Sequence, residues 1–324
     1  MESFPTFIVD AFTTQRFTGN PAAVCLIPRK LEDHEYLKIA AEFNLSETAF
    51  PIPEDGKSFT EANRFSLRWF TPKMEVPLCG HATMATSYVL FNEVGNKSEK
   101  IIFFTKSGEL VVSREAASQN LTMNFPKYGI TSVRFKEVEN PLGEYFSEFD
   151  APNFLYDLIK CVIPAEVNIE SVAYASEAKK LIVVIDEMTS KFEMEQFESD
   201  SQKMLSVHPD GDFVRGIIVT FAPKNAQTQG FVDKLGEEYD YACRYFAPWV
   251  GILEDPATGS AQCALAPFWA KLRNQQSFYA LQCYPSRGAQ FRVQLDEDAS
   301  RVVLGGSAVT VVRGNILLDE PAFY

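Results

Sequence analysis

Histidine is scarce in this sequence: His34, His81 and His208 are the three among 324 residues. They stand singly, without the paired spacing of a metal site, and neither a Walker loop nor a GxGxxG stretch accompanies them. No metal and no cofactor is expected. Cysteine is thin as well. Cys25, Cys79, Cys161, Cys243, Cys263 and Cys283 are dispersed, with no CxxC and none of the density of a secreted disulfide scaffold, so they read as reduced thiols. Positive charge is the minority: 30 Lys and Arg face 43 Asp and Glu, a net charge of −13, and no basic cluster suits a phosphate backbone. Nucleic acid is not an expected partner. Long apolar runs are missing too. Nothing approaches the roughly 18 to 20 residues that cross a bilayer, and the start MESFPTFIVDAFTT has no basic flank ahead of an apolar stretch. The expectation is a cytoplasmic chain without a membrane partner.

What is present suits a globular protein. Hydrophobic residues make up 46% and charged residues 23%, enough to bury a full core. A chain of 324 residues exceeds one ordinary core and suits two domains of roughly 150 residues, hence a cleft for a small ligand. The net negative charge repels an anionic small molecule at long range. An anion site must therefore be built locally, from backbone N–H groups at helix N-termini.

The first half reads as strands and turns around two helices. Strand candidates are residues 7–11, 46–51 and 65–70, and a hairpin joins 101–105 to 110–113 across Lys106-Ser107-Gly108. Residues 31–43 have helical spacing, with Asn44 as the stop. A second helix opens at Gly80 and runs to about Phe91, apolar nearly all round and so buried. In the second half, strand candidates are 181–185, 216–221, 240–246, 280–284, 291–295 and 302–304. Another glycine-opened helix begins at Gly259, and acidic segments at 140–150 and 186–212 look peripheral. The boundary falls near Pro126, giving domains 1–126 and 127–324, with the last residues free to pack on the first. Both glycine-opened helices share the pattern GxAxxA, from Gly80 to Ala85 and from Gly259 to Ala264, which suggests a duplicated fold.

Three places carry candidate chemistry. His81 follows a glycine at a helix start; it reads either as a packing residue or as a ligand-facing ring kept neutral by the positive helix end. Asp255, Thr258 and Ser260 precede or open the second helix, where such residues cap; the same stretch offers N–H groups at Gly259 and Ser260 to a carboxylate. Glu47 is a lone carboxylate among small and apolar neighbours, and most glutamates are merely solvated. In an extended segment its side chain should point opposite to Ser46 and Thr48. Burial there, with Asp255 nearby, would raise its pKa toward the range useful for taking and returning a proton.

Four motifs occur in order: DAFTTQRFTGNPAAV (10–24), NLSETAF (44–50), RWFTPKMEVPLCGHAT (68–83) and RYFAPWVGILEDPATGSA (244–261). With them the chain resembles the phenazine biosynthesis-like (PhzF-like) family, in particular its animal members, over nearly its whole length. The resemblance implies an α+β, diaminopimelate-epimerase-like fold: two pseudo-equivalent domains, each a sheet wrapped around a central helix. It also implies a cofactor-independent isomerase acting on a small anionic substrate, and a homodimer. The family's catalytic carboxylate falls on Glu47, its histidine, aspartate and serine on His81, Asp255 and Ser260, and its paired glycines on Gly80 and Gly259. Asn20 matches a position lining the same cleft. Related two-thiol racemases need a second cysteine, which the Asp-Pro-Ala-Thr-Gly stretch lacks although Cys79 precedes Gly80. The competing expectation is a binding or interaction protein that keeps the fold without catalysis. Pro267, inside the second central helix, should kink or shorten it.

Overall fold

The computed structural model describes residues 1–115, 120–135 and 141–319, and the chain divides into two compact units. One is Met1–Asn124 with the stretch from Gly305 onward; the other is Phe125–Leu304. The sequence's acidic segment from Asn140 begins outside the described residues. Up to the boundary run β1 (Glu2–Ala11), β2 (Asn20–Cys25), β3 (Glu47–Pro53), β4 (Arg64–Phe70), β5 (Glu75–Val76), β6 (Lys100–Thr105), β7 (Gly108–Arg114) and β8 (Leu121–Pro126), with helices α1 (Asp33–Phe43) and α2 (Gly80–Tyr88). Then follow β9 (Thr131–Arg134), β10 (Glu148–Asp150), β11 (Ile169–Ala175), β12 (Lys180–Ile185), β13 (Gly216–Phe221), β14 (Tyr241–Phe246), β15 (Ser277–Gln282), β16 (Ala289–Asp296) and β17 (Arg301–Gly306). Helices α3 (Leu155–Ile159), α4 (Lys191–Glu195), α5 (Ser201–Val207), α6 (Ala226–Gln229) and α7 (Gly259–Arg273) lie among them, and β18 (Ala308–Leu318) returns to the first unit.

Strand pairing repeats. In the first unit β18 pairs antiparallel with β1, β1 antiparallel with β2, β2 parallel with β3, β3 antiparallel with β4, β4 parallel with β6, and β6 antiparallel with β7. In the second the same directions run through β9, β11, β12, β13, β14, β15 and β16. Parallel neighbours need a long crossover, and each unit fills its two crossovers with helix. They are α1 and α2 in the first, α4 with α5 and then α7 in the second. The register matches residue by residue. Ala22 pairs with Glu47 and Thr48 with Phe70; Lys180 pairs with Gly216 and Ile217 with Phe246. Thus Ala22 corresponds to Lys180, Glu47 to Gly216, Arg68 to Arg244 and Trp69 to Tyr245.

Each unit has a buried central helix. In α2 every residue from His81 to Ser87 is buried, and its hydroxyls are satisfied internally: Thr83, Thr86 and Ser87 donate to the carbonyls of Cys79, Ala82 and Thr83. The helix predicted to Phe91 gives way after Tyr88 to a wider turn, in which Val94 N–H reaches the Val89 carbonyl at 2.9 Å. In α7 the helix runs through Pro267 and on to Arg273. The carbonyl four residues before Pro267 belongs to Cys263, and it accepts from the Tyr128 N–H at 3.3 Å instead. A donor from outside the helix thus satisfies the group that a proline leaves open. Among the described residues no helix is long and apolar enough to cross a membrane.

Candidate active site

In the first unit, chain order brings three motifs to one corner. Asn20 opens β2, Glu47 opens the adjacent parallel strand β3, and Cys79-Gly80-His81 opens α2. Asn20, Glu47 and His81 are buried, at 1%, 5% and 4% exposure. His81 is the hub. Its Nδ1 lies 3.1 Å from Asn20 Nδ2 and 3.5 Å from Cys79 Sγ; its Nε2 lies 3.2 Å from Ser46 Oγ and 3.1 Å from Glu47 Oε2. Ser46 Oγ also donates to Asn20 Oδ1 at 3.3 Å. Ser46 and Glu47 therefore reach the same ring nitrogen. The expectation that Glu47 turns away from Ser46 fails because strand geometry begins only at Glu47, so alternation does not extend back to its neighbour.

Glu47 Oε2 faces His81 out of line for a full hydrogen bond and has no other hydrogen-bond partner among the described residues. A buried carboxylate oxygen left in that condition is costly, and such groups concentrate at functional places. Burial opposes the His81 imidazolium, but Cys79 and Glu47 outweigh it and raise the ring's proton affinity well above the ordinary 6.5. Burial pushes the Cys79 thiol up as well, with the Glu47 carboxylate acting in the same sense. As placed, Nδ1 accepts from the Asn20 amide; taking a second proton turns Nδ1 into a donor and requires that amide to rotate.

The positive end of α2 is left open, since Cys79, its N-cap, makes no side-chain capping bond. Its N–H groups at Gly80 and His81 can face an anion. Glu47, Cys79 and His81 also offer three donor atoms within 4.8 Å of one another. Such a set can hold a borderline cation once the thiol loses its proton, and sequence spacing gave no hint of it.

The second unit holds the other predicted residues at the equivalent place. Asp255 is buried, its N–H donating to the Tyr245 carbonyl at 3.0 Å and its Oδ2 accepting from Thr258 Oγ1 at 2.5 Å. Thr258 is the N-cap of α7 yet does not cap it. Its hydroxyl serves Asp255, and its N–H donates to Gln282 Oε1 at 2.8 Å. Capping thus fails as the explanation of the Asp-Pro-Ala-Thr stretch. Gly259 is the first residue of α7 and Ser260, half-buried, the second. Sequence reasoning missed Ser46, Lys180 and Tyr245. The last two form a buried pair beside Asp255, and Tyr245 already stood inside a quoted motif.

Comparison with known proteins identifies the family and the fold. The family model described as phenazine biosynthesis-like protein matches residues 9–314. A mouse phenazine biosynthesis-like domain-containing protein 1 is 39% identical over 315 residues, covering 96% of this chain and 98% of its own. An uncharacterized isomerase of Halalkalibacterium halodurans is 36% identical over 325 residues, 98% of this chain and 100% of its own. The crystal structure of a PhzF-family protein from Enterococcus faecalis superposes with a TM-score of 0.76 at 29% identity, covering 98% of this chain and 100% of that one. A hydroxyproline epimerase from Agrobacterium vitis shares the fold alone, with a TM-score of 0.51 at 12% identity over 98% and 94% of the two chains. The fold is the diaminopimelate-epimerase-like one, two pseudo-equivalent halves each built around a central helix. By sequence and by fold, the chain belongs to the phenazine biosynthesis-like family.

Proposed function

We propose that this protein is an isomerase that moves a proton between carbons of a small carboxylate-bearing substrate, with Glu47 taking and returning the proton. Family membership and epimerase-fold neighbours support an isomerase-type function; the carbon-to-carbon transfer is our own reading. The observation that carries it is the buried Glu47 Oε2, held 3.1 Å from His81 without an aligned donor. A carboxylate so placed is short of one hydrogen-bond partner, and a substrate C–H delivered to that oxygen meets a base whose proton has somewhere to go. His81, with its raised proton affinity, stabilises the carboxylate before transfer and orients the substrate after it.

The uncapped start of α2, at Gly80 and His81, supplies N–H groups for the anion and for charge that builds up beside it. A single carboxylate delivers the proton on the face from which it came. No step calls on a metal or organic cofactor. The test is solvent deuterium incorporation into candidate unsaturated carboxylic acids, followed by NMR. Exchange at carbon is the expected result; binding without exchange would make the protein a receptor and refute the isomerase reading.

A further inference from the structure

Three donor atoms of different chemistry meet at the start of α2. The Cys79 sulfur, a ring nitrogen of His81 and a carboxylate oxygen of Glu47 lie within 4.8 Å of one another. Among the described residues no other group of His, Cys, Asp or Glu side chains closes in this way. The first two residues flank Gly80, with Cys79 still extended and His81 in the first turn of the helix, whereas Glu47 arrives from β3.

All three side chains are buried, so bulk water does not satisfy them. An independent observation also points to a ligand here. Glu47 Oε2 is buried without a hydrogen bond among the described residues, and a carboxylate oxygen in that state is stabilised by a cation. Sulfur, nitrogen and oxygen together suit a borderline ion such as Zn²⁺ rather than Mg²⁺ or Ca²⁺, which favour oxygen alone. Three protein ligands leave a fourth position for water or a small ligand.

Bonds of about 2.0 to 2.3 Å place the ligand atoms of a tetrahedral zinc site roughly 3.3 to 3.6 Å apart, so a spread of 4.8 Å must close by about 1 Å. Glu47 is suited to that adjustment, because its Oε2 breaks no hydrogen bond on moving. Cys79 stands 3.5 Å from Nδ1 of the ring and Glu47 3.1 Å from Nε2, and an ion takes one of the two nitrogens. Either choice leaves the other nitrogen a partner for its N–H. Ser46 Oγ lies 3.2 Å from Nε2, and the Asn20 amide, which accepts once turned over, lies 3.1 Å from Nδ1.

We propose that Glu47, Cys79 and His81 form a binding site for a zinc-class divalent cation, and that an ion held there stops proton transfer by engaging Glu47. The inhibition rests on the isomerase reading; the metal site does not. On binding, the Cys79 thiol releases its proton to solvent and the ion takes its place on sulfur, with no change of oxidation state. Coordination occupies the Oε2 lone pair that would otherwise receive the substrate's proton. The ion blocks the site and serves no step, so a chelator should restore exchange.

The experiment is titration of the full, metal-stripped chain with Co²⁺, whose bond to a thiolate gives a near-ultraviolet charge-transfer band, followed by competition with Zn²⁺. Wild type should show the band and lose it to Zn²⁺. Cys79→Ser should lose the band and bind more weakly by at least the roughly 10- to 100-fold that removal of an outer-shell partner causes. Glu47→Gln should keep the band but weaken binding comparably, which preserves the test if the serine variant does not fold. A band persisting in folded Cys79→Ser, wild-type affinity in Glu47→Gln, or no band in wild type would each overturn the site. With an acid that exchanges deuterium in hand, Zn²⁺ should abolish the exchange and EDTA restore it; exchange that Zn²⁺ stimulates or leaves unchanged would overturn the inhibition. Should no acid exchange, the isomerase reading fails while the Co²⁺ result still decides the metal site.

Discussion

Arg68 and Arg244 hold the same position in the two units and make the same bidentate pair, but one is wet and the other dry. Arg68 bonds Glu75 at 2.8 and 2.6 Å with 29% of its side chain exposed; Arg244 bonds Glu254 at 2.6 and 2.7 Å with 2% exposed. Arg244 additionally donates to the carbonyls of Met194 and Phe197, whereas Arg68 spends a second bond on surface Asp33. One inherited contact has been buried in the second unit and left near the surface in the first. The neighbouring positions have diverged further. Trp69 became or began as Tyr245, and Glu47 faces no carboxylate counterpart at Gly216. The two units share the frame, and the candidate site residues lie where they differ.

The comparison can be broken at several depths. Arg244→Met strands the Glu254 carboxylate in the interior and should destabilise the protein by about 3–5 kcal/mol. Arg68→Met, at the equivalent but wetter position, should cost roughly 1 kcal/mol or less. Urea unfolding of both variants checks this, and equal losses would show that the two pairs are not differently buried. Next in size is Gly216→Ala. Its methyl group meets the Tyr245 hydroxyl, and overpacking of this kind costs about 1–3 kcal/mol. Adding Tyr245→Phe should recover part of that loss; no recovery would mean the clash lies elsewhere.

The last effect is electrostatic. Lys180 has a folded pKa below its unfolded value of 10.5, so between about 8 and 10.5 the unfolded chain holds more of that proton. Stability contributed at this position therefore rises with pH across that window, by up to about 1.4 kcal/mol per pH unit. Raised thiols act in the opposite sense above 9.0, as at Cys25 and Cys243, which burial pushes up to about 12. The readout is accordingly the difference between wild type and Lys180→Met, in which the thiols cancel. That difference should shift in favour of wild type as pH rises from 8 to 10. A constant difference would place the Lys180 pKa outside the window.

Much of this frame stands in the sequence. The stop at Asn44, which takes the left-handed conformation at φ 49°, the hairpin across Lys106-Ser107, and both glycine-opened helices are local signals read correctly. The second half of the duplication was also visible: Arg68, Phe70 and Pro72 recur as Arg244, Phe246 and Pro248, and that echo fixes the register that the shorter GxAxxA pattern could not. Other features were out of reach for physical reasons. The eleven-residue strand β18 is stabilised by pairing with β1, some 300 residues distant in sequence, and contains a glycine that weakens any local reading. The rescue of α7 at Pro267 comes from Tyr128, a long-range donor no periodicity reveals. The surroundings of the His81 ring were out of reach for the same reason, since the helix end is a local signal whereas the carboxylate beside the ring arrives from β3.

The central claim is that Glu47 exchanges a proton with carbon. Glu47→Gln keeps size and shape but removes the titrating group, so a verified ligand should still bind while carbon–deuterium exchange falls by about 10²–10⁴-fold. Solvent deuterium entering that ligand at the wild-type rate in the Glu47→Gln protein would contradict the account.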